Sequence, residues 1–303
     1  MSGGSRRRYL VLVASCVALS LAGCTGESTP ATPDSVATSA STPEASVGTT
    51  NNAQPKTSSS PTTIRYGDSD SQFAELSLPS NGRSPLAVVV LIHGGFWQSA
   101  YGFDLMEPVA TDLNRRGYAT WNIEYRRVGE VGGGYPGTLD DVASSIDKLK
   151  DISDDYGLDL STVTLVGHSS GGHLALWAAG RKDLPEGAPG ASPLVVPGLA
   201  IGLGPVFDLR AGDADGLGSG AVTNFLAGTY EQFPDRYAIA TPSKDSSVDR
   251  IVVRATEDDI VPSRYTGPTP LGSIKAVDVP GDHFALIDPS SQAWQTVVAL
   301  IGG

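Results

Sequence analysis

The chain of 303 residues has few cysteines, few basic residues and no long hydrophobic run. Its two cysteines are Cys16 and Cys24. Cys16 lies in a predicted N-terminal signal peptide and Cys24 at a predicted lipidation site, so no disulfide is expected within the mature chain. An exported protein without disulfides depends on its core, and about 240 residues are enough to bury one.

Positive charge is also scarce, with 21 Lys and Arg against 33 Asp and Glu and a formal net charge of −12. Such a surface repels the phosphates of nucleic acids and of anionic lipid headgroups. Nucleic acid is therefore excluded as a partner. The sequence contains neither a phosphate-binding loop nor a Cys/His cluster, so we predict no cofactor and no metal.

The first 23 residues have the pattern of a signal peptide. Arg6–Arg8 precede an apolar run that ends near Leu21, short of the roughly 20 residues that span a bilayer. The run ends in Leu21–Cys24 (LAGC), which resembles a bacterial lipobox. That resemblance implies cleavage before Cys24 and a lipid on its sulfur, hence a protein anchored to the outer face of the cytoplasmic membrane. An ordinary secretory signal is the alternative, and Sec or Tat export stays open.

Residues 24–63 are dominated by Ser, Thr, Pro, Ala and Gly and have no apolar period. They cannot bury enough surface to fold, so we predict a disordered tether that leads to a domain at residues 64–303.

Beyond residue 64, strand patterns alternate with helix patterns. Leu86–Ile92 is a continuous, mostly β-branched run, as expected of a strand buried on both faces. Thr138 and Asp141 look like a capping box that opens a helix. Further strands are predicted at 118–125, 163–166, 199–203, 251–255 and 275–279, and helices at 103–116, 170–179 and 289–301. This order predicts an α/β fold with a doubly wound, mostly parallel sheet flanked by helices.

Gly167–Gly171 (GHSSG) follows a strand and leads into a helix, which is the context of a nucleophile elbow. In that context Ser169 is the nucleophile and the backbone N–H of Ser170 serves the oxyanion hole. A plain glycine-rich turn is the alternative, because the bare Gly-x-Ser-x-Gly pattern is common in a chain this rich in Gly and Ser.

A serine hydroxyl needs a base, and His283 is the one of four histidines that lies in a loop after the last strand. The base needs a carboxylate, and we favour Asp258 over Asp259 in the loop that follows strand 251–255. The order Ser169, Asp258, His283 is that of α/β-hydrolases.

His93–Trp97 (HGGFW) follows a strand and resembles the His-Gly-Gly-Gly oxyanion loop of lipases and esterases. By position, the backbone N–H groups of Gly95 and Phe96 join that of Ser170 as donors. Phe96 stands where the third glycine would be, so its ring narrows the site and suggests a small acyl or formyl group. The Phe96 and Trp97 rings either shape the substrate side or pack beneath the loop. Residues 208–242 form either a partial lid or a connection.

Five segments together are similar to the kynurenine formamidase-like branch of α/β-hydrolases, which neighbours the hormone-sensitive-lipase-like esterases. The resemblance covers Leu86 to the C-terminus. It implies a serine hydrolase that cleaves small carboxylic esters or amides through an acyl-enzyme. An acyltransferase or peptidase with the same triad, or a catalytically silent surface scaffold, is the alternative. The segments are His93–Trp97, Glu124–Arg126, Tyr135–Val142, Gly167–Ala175 and Gly281–Asp288.

Overall fold

A computed structural model describes residues 60–81, 84–267 and 273–303. In this part of the chain, eight strands form one sheet with helices on both faces. The strands are β1 (Thr62–Arg65), β2 (Phe73–Ser77), β3 (Leu86–Ile92), β4 (Ala119–Ile123), β5 (Leu158–His168), β6 (Leu199–Leu203), β7 (Asp249–Ala255) and β8 (Lys275–Val279). The helices are α1 (Glu107–Arg115), α2 (Gly137–Tyr156), α3 (Ser170–Ala178), α4 (Leu209–Ala214), α5 (Leu217–Leu226), α6 (Pro234–Ala240) and α7 (Gln292–Ile301), with 3-10 turns at Phe103–Met106, Arg181–Asp183, Ser263–Tyr265 and Ala285–Ile287.

The strand order is β1-β2-β4-β3-β5-β6-β7-β8. The pairs β1–β2 and β2–β4 are antiparallel, and every pair from β4–β3 to β7–β8 is parallel. The predicted fold, a mostly parallel sheet flanked by helices, is confirmed. Strand β1 begins at Thr62, two residues before the boundary that composition suggested, because Thr62 and Thr63 pair with Leu76 and Glu75 of β2.

Both faces of the central strands are buried. In β3, Val88, Val90 and Ile92 join one apolar cluster together with side chains of α2 and α3. Val89 and Leu91 join a second cluster with side chains of α1 and α7 on the opposite face. The continuous apolar run of β3 is therefore the sequence of a strand covered by helices on both sides.

Helix α2 begins differently from the prediction. Thr138 lies inside the helix, and its hydroxyl donates to the backbone oxygen of Arg126. The Asp141 carboxylate accepts two hydrogen bonds from the Arg126 guanidinium and a third from the backbone N–H of Arg126. The capping-box interpretation is therefore wrong, since tertiary contacts with Arg126 take both side chains.

Residues 208–242, predicted to be a lid or a connection, contain helices α4, α5 and α6 between β6 and β7. No helix in the described ranges is long and apolar enough to cross a bilayer. The predicted signal peptide and Cys24 lie outside the described residues, as does the tether up to residue 59.

Candidate active site

Ser169 occupies a sharp turn between the end of β5 at His168 and the start of α3 at Ser170. Its backbone has φ 56° and ψ −122°, a conformation that a residue with a side chain rarely adopts. Two residues before and two residues after Ser169, neighbouring backbone lies so close to the chain that glycine is required. A Cβ on Gly167 would lie 2.0 Å from the Gly171 oxygen, and one on Gly171 would lie 2.2 Å from the Ile92 oxygen. The turn therefore has the strand–turn–helix geometry predicted for a nucleophile elbow.

His283 and Asp258 form a buried pair on the loops that follow β8 and β7. Their side chains are 4% exposed, and His283 Nδ1 lies 2.6 Å from Asp258 Oδ2. The other oxygen of Asp258 accepts from the backbone N–H groups of Ile260 and Val261. Burial alone would raise the pKa of Asp258, but the bonds from His283 and the two amides outweigh it and lower that pKa.

An ionised Asp258 can only accept, so the proton of a neutral His283 ring sits on Nδ1 and leaves Nε2 as the basic nitrogen. Asp259 is exposed. The structure thus brings Asp258, rather than Asp259, to His283.

The predicted oxyanion loop has an unusual backbone. Gly95, Phe96 and Trp97 have φ values of 107°, 53° and 57°, all in the left-handed region. The Trp97 N–H donates to Ser170 Oγ at 3.2 Å. Among the described residues, the backbone N–H groups of Gly95, Phe96 and Ser170 have no protein acceptor. Three amides beside Ser169 are therefore free to donate. The loop is close to this serine, because a Cβ built on Gly94 would lie 2.9 Å from the Ser169 Cβ.

A buried polar network holds this loop, and the sequence analysis assigned no role to its side chains. His93 is fully buried, with Nδ1 2.8 Å from the Gly94 oxygen and Nε2 2.9 Å from Glu124 Oε1. Arg127 donates to Glu124 Oε2 at 3.0 Å, and the Tyr125 hydroxyl donates to the His93 oxygen at 2.8 Å.

The peptide that joins residues 94 and 95 is planar and trans, so its C=O and N–H point in opposite directions. By holding the Gly94 oxygen, His93 therefore fixes the direction of the Gly95 N–H. The one sequence signal for this network was the pair of charges, Glu124 and Arg127, just after a buried strand.

Two further histidines are buried close to the serine. His168 donates from Nε2 to the His283 backbone oxygen at 3.0 Å, and the two rings lie 4.5 Å apart. Burial and, secondarily, the neighbouring His283 lower the pKa of His168 to about 3. His173 donates to the Ala240 oxygen, and burial lowers its pKa to about 4. Both rings are therefore neutral at ordinary pH.

The two aromatic residues of the loop have different surroundings. Trp97 is fully buried and stacks on Phe225 with ring centroids 4.6 Å apart. It packs beneath the loop, which is the second of the two alternatives that the sequence left open for this ring. The Phe96 side chain instead borders the pocket that contains Ser169.

That pocket has a volume of about 160 Å³ and no Asp, Glu, Lys or Arg in its lining. Its lining residues are Gly95, Phe96, Tyr101, Leu105, His168, Ser169, Ile260, His283 and Phe284. A larger cavity of about 400 Å³ lies between β2 and α1, but it contains no serine beside a histidine. We therefore place the candidate site by its chemistry rather than by cavity size.

Comparisons with known proteins show which proteins this chain is similar to. Residues 74–195 match the BD-FAE family model. The chain is 29% identical over 132 residues to the Arabidopsis thaliana protein named "Probable isoprenylcysteine alpha-carbonyl methylesterase ICMEL1". That match covers 43% of this chain and 26% of the relative, so the chain spans about a quarter of the length of this curated relative.

Solved structures show the same fold. A bifunctional GH43-CE protein of Bacteroides eggerthii superposes with a TM-score of 0.68 at 19% identity, over 82% of this chain and 35% of its own. Esterase B of Lactobacillus Rhamnosis superposes with a TM-score of 0.67 at 21% identity, over 82% and 87%. The protein therefore has the α/β-hydrolase fold and, with a BD-FAE match over residues 74–195, is similar to esterases.

Proposed function

We propose that the protein is a serine hydrolase that cleaves small carboxylic esters, and amides of similar size, through an acyl-enzyme. In this proposal Ser169 is the nucleophile, His283 its base and Asp258 the carboxylate that orients the base. One observation carries the proposal. A strained Ser169 lines the same pocket as His283, whose Nδ1 is bound to a buried carboxylate at 2.6 Å.

The reaction has two steps with balanced protons. Ser169 Oγ attacks the carbonyl carbon while His283 Nε2 takes the hydroxyl proton, and His283 then returns that proton to the leaving alcohol or amine. Water, deprotonated by His283, then attacks the acyl carbon, and His283 returns that proton to Ser169 Oγ as the ester bond to the serine breaks and the acid leaves. The N–H groups of Gly95, Phe96 and Ser170 stabilise the oxyanion of each tetrahedral intermediate, an effect worth roughly 3–4 kcal/mol per donor.

The pocket favours an uncharged, apolar acyl group because no charged side chain lines it. Its volume of about 160 Å³ is close to that of a cavity of about 150 Å³ that holds one benzene molecule. Tyr101, Ile260 and Phe284 are exposed apolar side chains at its rim, with 47%, 39% and 52% of their surface accessible. These side chains would contact an apolar substrate that enters the site.

The test is hydrolysis by the full chain of p-nitrophenyl acetate and butyrate, formanilide and a short peptide anilide. We expect ester turnover that Ser169→Ala abolishes. Ser192→Ala is the matched control, because exposed Ser192 has a similar φ of 59° outside the pocket and should keep full activity. Acyl transfer only to an added alcohol would indicate a transferase, and cleavage of the peptide alone a peptidase. A folded protein that turns over none of them would support the silent scaffold and contradict the proposal.

We also infer from the sequence that Cys24 carries a lipid that anchors the protein to the outer face of the bacterial cytoplasmic membrane. In cells, we expect the wild type in the membrane fraction and Cys24→Ser in the soluble exported fraction. Equal partitioning of the two proteins would refute the lipid anchor.

A further inference from the structure

The start of helix α5 contains a left-handed turn that touches the candidate active site. Gly216, Gly218, Ser219 and Gly220 have φ values of 64°, 61°, 59° and 81°. Three of these four residues are glycine, as a left-handed backbone favours. This segment lies between β6 and β7, far along the chain from the oxyanion loop.

Gly218 is the glycine of this turn that meets the Phe96 ring. A Cβ on Gly218 would lie 2.8 Å from the ring carbons Cδ1 and Cε1 and 3.0 Å from Cγ. Carbon atoms in ordinary contact are about 3.5–4.0 Å apart, so a methyl group at position 218 would displace the ring by roughly 1 Å. Gly216 and Gly220, by contrast, have no neighbour within 4 Å of such a Cβ. The Phe96 ring therefore lies against the bare backbone of Gly218.

The same ring borders the substrate pocket of about 160 Å³. The ring is partly buried against the core, and the pocket is an open space beside it. The backbone of Phe96 is held in a left-handed conformation, with φ 53°, between Gly95 and the buried Trp97. Because the main chain is fixed on both sides, pressure on the ring should move the side chain into the pocket rather than move the loop.

We propose that Gly218 is a specificity-determining position, which sets the longest acyl chain that the pocket accepts by letting the Phe96 ring lie against its backbone. This inference rests on the proposed function, because it concerns the acyl group attached to Ser169. The ligand class is an uncharged straight-chain acyl ester. From the benzene-sized volume, the wild type should accept chains of up to about four to six carbons.

The experiment measures kcat/KM of the full chain for p-nitrophenyl esters from acetate to octanoate. Gly218→Ala should lower kcat/KM for the longest accepted ester by about 10- to 200-fold, the usual effect of losing room for one methylene. Acetate needs none of that room, so its kcat/KM should change less than about threefold. The length limit should shift down by one or two carbons.

Gly220→Ala is the matched control. It places the same methyl group on a left-handed residue of the same turn, at φ 81°, where the added Cβ meets nothing. It should therefore have a similar backbone cost and leave the chain-length profile as in the wild type. An equal shift in the profile for Gly218→Ala and Gly220→Ala would overturn the inference, because backbone strain alone would then explain it.

A double-mutant cycle tests whether the effect passes through the ring. Phe96→Ala should extend the length limit, and Gly218→Ala added to it should change the limit no further, because no ring remains to be displaced. The double variant also relieves the clash, so it reports on position 218 even if Gly218→Ala alone folds poorly. A Gly218→Ala effect of the same size with and without Phe96 would refute the inference.

Failure of this inference and failure of the proposed function look different. If the inference fails, the wild type hydrolyses short esters and a fluorophosphonate labels Ser169, while the chain-length profile of Gly218→Ala matches that of Gly220→Ala. If the proposed function fails, the folded wild type shows neither turnover nor a serine adduct. Both proposals are then overturned.

Discussion

Lowering the pH from 7 to 5 should destabilise the protein through two buried histidines. Burial lowers the pKa of His173 to about 4, and burial together with His283 lowers that of His168 to about 3. In the unfolded chain a histidine has a pKa of about 6.5. The unfolded state therefore takes up protons below pH 6.5 while the folded state does not. The stability that these groups contribute is complete above pH 6.5 and declines as the pH falls towards 4.

The size of the loss follows from these pKa values. One pKa unit corresponds to about 1.4 kcal/mol, so each histidine costs about 1.8 kcal/mol between pH 7 and pH 5. The two together cost nearly 4 kcal/mol, a large share of the 5–15 kcal/mol that typically stabilises a domain. In the unfolded chain Asp and Glu have pKa values of about 3.9 and 4.3, which lie below this window.

The assay is urea unfolding followed by tryptophan fluorescence, which suits a protein whose four tryptophans are buried. His173→Phe keeps an aromatic ring against Trp97 and Phe225 but removes the titration. The stability advantage of the wild type over this variant should shrink by about 2 kcal/mol between pH 7 and pH 5. Phe225→Leu is the control, because it removes a ring from the same cluster and should cost the same at both pH values. A pH-independent cost for His173→Phe would refute the reasoning.

Three further predictions concern the triad, the loop support and the core. Asp258→Asn should lower kcat by about 10³- to 10⁴-fold in ester hydrolysis, whereas kcat of Asp259→Asn should stay within about twofold of the wild type. Equal losses in the two variants would show that Asp258 is not the carboxylate that orients His283. His93→Leu should lower kcat by about 100-fold with little change in KM. His93→Asn can still donate to the Gly94 oxygen, so it should recover part of the lost kcat. Identical kinetics for the two variants would show that this bond does not direct the oxyanion loop. Trp97→Ala should lower the free energy of unfolding by about 3–5 kcal/mol in urea, because Trp97 is fully buried, and a loss below about 1 kcal/mol would contradict its place in the core.

The sequence predicted the parallel part of the fold well because its strands carry strong local signals. Leu86–Ile92 and Lys275–Val279 are strands with the predicted bounds, and the strand before Gly167 leads into the turn as expected. The antiparallel pair β1–β2, which lies at one edge of the sheet, was missed. Such strands are specified by their pairing with a neighbour more than by their own composition.

Residues of the candidate site could be predicted only where a sequence motif specifies both the residue type and its position in the fold. Ser169, Asp258 and His283 each follow a strand end, and parallel strands bring those ends to one edge of the sheet. Contacts between segments that are distant along the chain have no such motif in the sequence. Glu124 reaches His93 across 31 residues, and Gly218 reaches Phe96 from a turn whose glycines looked like a loop.

The most direct test of the central claim is active-site labelling of the full chain with a fluorophosphonate, read by intact mass and by mapping the modified peptide. The account predicts one adduct per chain, located on Ser169 and absent from Ser169→Ala, with faster labelling at pH 7 than at pH 4. A folded wild type that gains no adduct, or an adduct that persists in Ser169→Ala, would contradict the assignment of Ser169 as an activated nucleophile.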